Sequence, residues 1–251
     1  MRDSSEGPGP GGVSGRTALI VGAGRGLGRA TAAALAEGGA RVLGVGRDAS
    51  RLAELAAMAS ARGLSIRTVR GDVSRPGRLA GIARRMRQGP DLLVVAAGDY
   101  WEGPWTELTG ARWEALARSN VTVAIEAMRA VLPGMRRRRY GRILLFGVAG
   151  GEAARAAPRA HAYRAAKVAL LTLAKSAAVE EAAHGITVNV ILPGIVQTGI
   201  PPRRAARLAA RIPAGRLGSP REIARAATFL LAEESGYITG AALTISGGYL
   251  V

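Results

Sequence analysis

Short apolar runs alternate with longer amphipathic segments along most of this chain. The runs predict seven β-strands, at 17–23, 41–46, 65–72, 91–98, 141–148, 186–194 and 241–248. Most of them are continuously apolar, as strands buried on both faces of a parallel sheet tend to be. Stretches rich in Ala, Leu and Arg predict helices near 26–37, 50–61, 76–87, 109–135, 161–184 and 221–232. This alternation predicts an α/β protein with a doubly wound, mostly parallel seven-stranded sheet and helices on both faces.

Length and composition indicate one large globular domain. The 251 residues are 48% hydrophobic and 21% charged, and no internal repeat is visible. Residues 1–15 are a polar stretch rich in Gly, Pro and Ser that predicts a disordered tail, so the domain is expected to occupy 16–251. The chain has neither a membrane-spanning apolar run nor an apolar core behind a basic start. We therefore expect a cytoplasmic protein with no membrane partner.

Residue types exclude several kinds of chemistry. There is no cysteine, which rules out disulfides, thiolate metal sites and cysteine nucleophiles. The two histidines, His161 and His184, lie far apart in the sequence, so no metal site is expected.

The formal net charge of +17 raises the question of a nucleic-acid partner. Lys167 and Lys175 are the only lysines, so 33 of the 35 basic residues are arginines, and these are scattered among many alanines. The pattern indicates a compositional bias, so no nucleic-acid partner is expected. The one dense cluster, RRRRYGR from Arg136 to Arg142, is interpreted as a helix end whose cations suit the helix dipole. A site for an anionic partner is the alternative.

The turn after the first predicted strand carries the clearest ligand signal. The stretch VGAGRGLGRA places Gly22, Gly26 and Gly28 between a buried strand and the start of a helix. Glycines let the backbone approach a pyrophosphate closely, and a helix N-terminus stabilises its negative charge. The sequence therefore predicts a dinucleotide-binding site at this turn.

A second candidate site lies in the predicted helix at 161–184. Tyr163 and Lys167 are four residues apart, so their side chains share one face of the helix and can reach one ligand. A free tyrosine has a pKa of about 10. A neighbouring ammonium stabilises the phenolate and lowers that pKa, which predicts Tyr163 as a proton donor and acceptor near neutral pH.

The spacing G-x-x-x-G-x-G, taken with Tyr163-x-x-x-Lys167, resembles the short-chain dehydrogenase/reductase family. Further matches cover nearly the whole chain. They are Asp72-Val73, Ala97-Gly98, Asn120 seven residues after Trp113, PGIVQT at 193–198, and the C-terminal stretch from Gly215 to Gly248. The resemblance implies a Rossmann fold, an NAD(P)-dependent oxidoreductase, and a homotetramer or homodimer.

The same resemblance implies roles for individual residues. Hydride would pass between the nicotinamide and a carbonyl or alcohol of a small molecule, while Tyr163 donates or accepts the proton. Lys167 would bind the nicotinamide ribose, and Asn120 would hold a water that connects Lys167 to solvent. The implied cofactor contacts are Gly22, Arg25, Gly26, Leu27, Gly28, Arg47, Asp72, Val73, Ala97, Gly98, Lys167, Pro193, Gly194, Val196 and Thr198.

Charge at the end of the second strand favours NADP(H) over NAD(H). NAD-preferring members end this strand with an acidic residue that accepts hydrogen bonds from the ribose hydroxyls, whereas Gly46 stands there in this chain. Arg25 in the glycine turn and Arg47 after the strand can grip a 2′-phosphate with a guanidinium fork. Asp48, one residue beyond Arg47, is a carboxylate that can instead accept hydrogen bonds from the ribose hydroxyls, which would favour NAD(H).

The loop before Tyr163 lacks the serine with which the family polarises the substrate carbonyl. An ungapped match of the fifth strand puts Val148 at that position, and counting back thirteen residues from Tyr163 gives Gly150. Neither supplies a hydroxyl, and loss of one such donor typically slows the reaction by about a hundredfold to a thousandfold. His161 or Glu152 either replaces the serine or is a solvent-facing loop residue. A dinucleotide-binding sensor or partner with weak or no catalysis is therefore the alternative function.

Two further regions bear on the substrate. Tyr100, Trp101 and Trp105 follow the fourth strand, where they either stack on a planar ring or pack within the loop. The segment 197–213 falls where the family carries its mobile substrate lid. Its arginines either attract an anionic substrate or form a solvated helix face; they are Arg203, Arg204, Arg207 and Arg211.

Overall fold

The computed structural model describes residues 12–73, 77–86, 88–153 and 155–250. Its strands are β1 (Thr17–Val21), β2 (Arg41–Gly46), β3 (Ile66–Arg70), β4 (Leu92–Val95), β5 (Gly141–Phe146), β6 (Ile186–Pro193) and β7 (Ala242–Ile245). Its α-helices are α1 (Gly26–Glu37), α2 (Ala49–Ala61), α3 (Arg78–Ala83), α4 (Gly110–Ala117), α5 (Val123–Arg138), α6 (His161–Ala182), α7 (Pro202–Ala209) and α8 (Pro220–Leu231). A π-helical turn, Arg118–Thr122, joins α4 to α5.

The seven strands form one parallel sheet in the order β3-β2-β1-β4-β5-β6-β7. The chain builds outward from β1 to β3, crosses back to the other side of β1, and continues from β4 to β7. Connections therefore leave the adjacent carboxyl ends of β1 and β4 in opposite directions, which opens the crevice where ligands bind in such sheets. The predicted doubly wound Rossmann fold is confirmed.

Helices cover both faces of the sheet and divide the core into two layers. On one face, α1, α2 and α8 bury Leu35, Leu55 and Leu230 against Ala18 and Ile20 of β1. On the other face, helices α3, α5 and α6 pack against the alternate residues of the same strands. None of the helices in the described ranges is long and apolar enough to cross a membrane.

The segment just before β1 is packed on the domain. Val13 is fully buried in the layer formed by α1, α2 and α8. The Gly12 carbonyl accepts a hydrogen bond from Glu233 N at 2.9 Å, and Gly15 N donates to the Gly39 carbonyl at 3.0 Å. The disorder predicted for residues 12–15 is therefore wrong, because one apolar side chain finds a place in the core. Residues 1–11 of the predicted tail lie outside the described residues.

The arginine cluster at the end of α5 makes contacts within the chain. The Arg136 guanidinium holds the buried Glu181 carboxylate on α6 through two hydrogen bonds. Arg139 donates to the Ala183 carbonyl at 2.9 Å, and Arg142 is buried and donates to nearby backbone carbonyls. These contacts support the interpretation of the cluster as a helix terminus that anchors α5 to its neighbours.

Replacing Arg136 should test this structural role. Arg136→Gln leaves the Glu181 carboxylate buried without its cationic partner, so we expect the melting temperature to fall by about 2–6 °C. The matched control is Arg137→Gln, which removes an exposed neighbouring charge. Thermal unfolding followed by circular dichroism measures both variants. Equal melting temperatures for the two would contradict a structural role for Arg136.

Candidate active site

Three glycines of the turn after β1 are each required by a close contact or by a positive φ. Gly22 has a φ of 91°, and a Cβ there would lie 2.7 Å from Ala97 N. A Cβ at Gly28 would lie 2.2 Å from the Gly22 carbonyl oxygen, so only glycine allows α1 to pack this close to β1. Gly26 has a φ of 55° and faces Thr198, whose Cγ2 would be 3.4 Å from an added Cβ. The turn therefore keeps its backbone open to a ligand and brings Thr198 to the same place.

A cavity of about 290 Å³ lies beside this turn, and we call it the dinucleotide cavity. It is lined by Gly22, Gly24, Arg25, Gly46, Arg47, Asp48, Arg51, Asp72, Val73, Ala96, Ala97, Gly98, Asp99, Ser119 and Val123. Seven of the predicted cofactor contacts are among these residues. The others do not line it; they are Gly26, Leu27, Gly28, Lys167, Pro193, Gly194, Val196 and Thr198. Asp99, Arg51 and Ser119 also line the cavity, although they belong to none of the family's motifs and no signal in the sequence indicates them.

The β2 side of the dinucleotide cavity is rich in cations. Asp48 caps α2 by accepting a hydrogen bond from Arg51 N at 3.1 Å, and its carboxylate also pairs with the Arg51 guanidinium at 3.2 Å. Its capacity as a ribose acceptor is thus already used locally. Gly46 adds no side chain, and Arg47 forms an ion pair with Asp99 at 3.0 Å. Arg51 and Arg47 are thus each paired with a carboxylate, and Arg25 adds a third guanidinium to the lining of the cavity.

Tyr163 and Lys167 lie together in the first two turns of α6. The Lys167 Nζ is 5.8 Å from the centre of the Tyr163 ring and donates a hydrogen bond to the Phe146 carbonyl at 2.7 Å. The same Nζ lies beside Gly98, which lines the dinucleotide cavity. A Cβ placed on Gly98 would be 3.5 Å from this nitrogen. The structure therefore brings the predicted Tyr–Lys pair to the edge of that cavity.

Burial shifts both of these groups toward their neutral forms. Desolvation raises the pKa of Tyr163 to about 12 and lowers the pKa of Lys167 to about 8. The predicted lowering of the Tyr163 pKa is therefore wrong in this structure, where burial raises it. Tyr163 consequently keeps its proton at neutral pH.

Asn120 sits in the π-helical turn Arg118–Thr122 and faces the same region. Its Nδ2 donates to the carbonyls of Leu116 and Asp99, both at 3.0 Å. Its Oδ1 is buried and has no hydrogen-bond partner among the described residues, and it would lie 2.4 Å from a Cβ on Gly98. Buried acceptors are almost always satisfied, so this oxygen suits a water or ligand donor.

The loop after β5 distinguishes the two candidate positions for the family's serine. Gly150 has a φ of 68°, and a Cβ there would be 3.0 Å from both an Arg164 nitrogen and the Leu250 carbonyl oxygen. A serine at Gly150 would be strained in this conformation. Val148 has no positive φ, so it is the position that can accept a serine. The buried Arg164 donates to the carbonyls of Ala149 and Gly150 and fixes this loop on α6.

Aromatic side chains pack around the start of α6. The Tyr100 ring meets the Tyr163 ring edge-on, with centroids 5.0 Å apart. Trp101 and Trp105 contact the ring of His161 at centroid distances of 5.6 and 4.7 Å. Tyr100 is 57% and Trp105 72% exposed, so these contacts are compatible with both predicted alternatives, packing within the loop and stacking on a planar ring of a ligand.

The two candidate replacements for the serine differ in their surroundings. Glu152 is exposed on the loop. His161 accepts a hydrogen bond from Ala162 N at its Nδ1, at 2.9 Å, and its Nε2 is buried without a hydrogen-bond partner among the described residues. Trp101 and Trp105 pack on the His161 ring, so a replacement of the serine by His161 or Glu152 stays a prediction from the sequence.

Helix α7 is tied to this aromatic wall by one ion pair. Arg204 contacts Glu102 at 3.3 Å, and the other Glu102 oxygen accepts a hydrogen bond from the Tyr100 hydroxyl at 2.6 Å. Arg211, just past α7, contacts Tyr249. The segment predicted as a lid thus contacts the loop that carries Tyr100, whose ring packs on Tyr163.

The parallel sheet, the glycine turn and the adjoining cavity define the class of doubly wound, dinucleotide-binding α/β proteins. A model of the family described as enoyl-(acyl carrier protein) reductase matches residues 22–250. The 3-oxoacyl-[acyl-carrier-protein] reductase FabG of Vibrio cholerae is 34% identical over 244 residues, which cover 94% of this chain and 98% of that protein. FabG of Escherichia coli is 33% identical over 245 residues, with the same coverage of each chain.

Solved structures agree with these matches. A gluconate 5-dehydrogenase from Beutenbergia cavernae, described as NAD(P)-dependent and containing NADP at low occupancy, has a TM-score of 0.89 and 33% identity, and covers 96% of this chain and 99% of that one. A protein from Agrobacterium tumefaciens that is described as a gluconate dehydrogenase has a TM-score of 0.88 and 35% identity, and the match covers 95% of this chain and 97% of that one. The chain therefore belongs to the short-chain dehydrogenase/reductase family, as its motifs indicate.

Replacing Lys167 should stabilise the protein at neutral pH. Because burial lowers the pKa of Lys167 to about 8 from 10.5, the folded chain carries a buried ammonium below pH 8, which opposes folding. Lys167→Met should raise the free energy of unfolding in urea at pH 7 by about 1–3 kcal/mol. The gain should shrink between pH 8 and 10.5, where wild-type Lys167 is neutral when folded but charged when unfolded.

The matched control is Lys175→Met, which removes the exposed lysine of the same helix. This control should change the free energy of unfolding little, both at pH 7 and between pH 8 and 10.5. If Lys167→Met were no more stable than wild type at pH 7, the hydrogen bond to the Phe146 carbonyl would outweigh the desolvation of Lys167, and the pKa assignment would be wrong.

Proposed function

We propose that this chain is an NADP(H)-dependent oxidoreductase that transfers hydride between the nicotinamide and a carbonyl or alcohol of a small molecule. The observation that carries the proposal is the position of Tyr163 and Lys167, side by side on α6 at the edge of the dinucleotide cavity. A proton donor and a hydride carrier are what such a reduction requires. Membership of the family supports the same conclusion.

The residues of the dinucleotide cavity fit NADP(H). The glycine turn leaves its backbone and the start of α1 open to a pyrophosphate. Arg25 and Arg47 line the wall next to Gly46 and would hold the 2′-phosphate, while the Asp48 carboxylate is engaged as the cap of α2. The NADP found in the structural relative from Beutenbergia cavernae supports this assignment. When bound, the cofactor supplies or accepts the hydride.

Tyr163 acts as the proton donor in reduction. With a pKa raised to about 12 by burial, its phenol stays protonated at neutral pH and can give its proton to the alkoxide that forms on the substrate. Lys167 binds the nicotinamide ribose and places an ammonium beside the resulting phenolate. The unpartnered Oδ1 of Asn120 holds a water that connects Lys167 to solvent. These roles are assigned from the family's pattern and the geometry of α6.

A second candidate function is a dinucleotide-binding sensor or partner protein with weak or no catalysis. It is favoured by the loop after β5, where Val148 stands at the position that can accept the family's serine. The carbonyl of a bound substrate would then lack one hydrogen-bond donor. The homotetramer or homodimer and the cytoplasmic location stay predictions from the sequence.

Oxidation of NADPH should separate the two functions. The substrates tested for NADPH oxidation are ketones, quinones, pteridines and 3-oxoacyl thioesters. Gluconate is tested in the reverse direction, through the reduction of NADP⁺. Tyr163→Phe should lower turnover by about 10²–10⁴-fold, because it removes the proton donor and keeps the ring that packs on Tyr100. The affinity for NADPH should change little. Undiminished turnover would refute Tyr163 as the donor, and NADPH binding without turnover of any of these substrates would favour the sensor.

Restoring the hydroxyl should raise the activity. Val148→Ser places a donor at the position that the backbone of the loop allows, so turnover should rise about tenfold or more. Val148→Ala is the matched control, because it removes the same bulk without adding a hydroxyl. If the serine and alanine variants were equally active, Val148 would not occupy the position from which the family's serine acts.

A further inference from the structure

We propose that Asp99 weakens the preference of this site for NADPH by competing with the 2′-phosphate for Arg47. The inference rests on the proposed NADP(H) function and deepens it. It assigns a specificity-determining role to a residue that belongs to no motif of the sequence. The observation behind it is the ion pair between Arg47 Nη2 and Asp99 Oδ1, at 3.0 Å.

The ion pair spans the dinucleotide cavity. Arg47 follows β2 and Asp99 comes after β4, and β1 lies between these two strands in the sheet. Both residues line the cavity, so the pair joins two of its walls above the end of β1. The guanidinium that faces the ribose position is therefore already engaged by a carboxylate from the opposite side.

The backbone of Asp99 is held in place. Its N–H donates to the Ser119 hydroxyl at 3.3 Å, and its carbonyl accepts from Asn120 Nδ2 at 3.0 Å. Arg47 is held from its own side, because Arg70 Nε donates to the Arg47 carbonyl at 3.3 Å. A ligand that takes the Arg47 guanidinium therefore leaves the Asp99 carboxylate without its cation.

NADPH and NADH differ in how they affect the Arg47–Asp99 ion pair. A 2′-phosphate needs charge-assisted hydrogen bonds from the Arg47 guanidinium, which has to leave the Asp99 carboxylate to make them. NADH has no such phosphate, so no group on it competes for Arg47, and the two exposed side chains can move aside together and stay paired when it binds. Asp99 therefore reduces the affinity for NADPH more than the affinity for NADH.

Asp99→Asn tests the inference through binding alone. NADPH and NADH are titrated into the full chain, and the dissociation constants are measured by calorimetry. Because exposed ion pairs are weak, the Kd of NADPH should fall about two- to fivefold, while that of NADH changes by less than about twofold. Glu54→Gln is the control, since it removes an exposed carboxylate of α2 that pairs with Arg29. It should leave the ratio of the two constants unchanged.

A double variant identifies the partner of Asp99. In an Arg47→Gln background the substitution Asp99→Asn should no longer change the ratio of the NADPH and NADH constants. If wild type binds NADPH but Asp99→Asn leaves this ratio unchanged or lowers the preference for NADPH, the inference is wrong and the proposed function stands. If wild type does not bind NADPH, the proposed function itself fails.

Discussion

The close approach of α1 to the carboxyl ends of β1 and β4 is the constraint on which the whole site depends. Gly28 lies against the Gly22 carbonyl, and Gly22 against Ala97, at distances that exclude any Cβ. The fully parallel order of the sheet opens a crevice at this point, and the glycines keep its floor free of side chains. Arg25 and Arg47 line the resulting cavity, and Lys167 of α6 lies beside Gly98 at its edge.

Around that cavity, ionisable and polar groups are buried away from water, which disfavours their charged or unpaired forms. Lys167 is buried, Asn120 Oδ1 is buried without a partner among the described residues, and Tyr163 has its pKa raised by burial. Such groups destabilise a fold unless a ligand or water completes them. Their concentration at one edge of the sheet is characteristic of a functional site.

Features set by local sequence were predictable, and those set by distant contacts were not. The bounds of α1 and β2 agree with the prediction, because the glycine turn and the apolar run are local signals. β4 ends at Val95, earlier than predicted, since the residues that follow line the dinucleotide cavity. The predicted helix 109–135 is interrupted where the Asn120 side chain bonds the Leu116 carbonyl. Arg47 and Asp99 are 52 residues apart, so no local pattern could indicate their ion pair.

The most direct test of the proposed function is the fate of the hydride itself. NADPH carrying deuterium on both faces of nicotinamide C4 is incubated with the wild-type protein and the carbonyl substrate it reduces fastest, and the alcohol product is analysed by mass spectrometry. The proposal predicts one deuterium on the carbinol carbon of the product. An unlabelled alcohol, or no alcohol from any carbonyl compound while the protein binds NADPH, would contradict it.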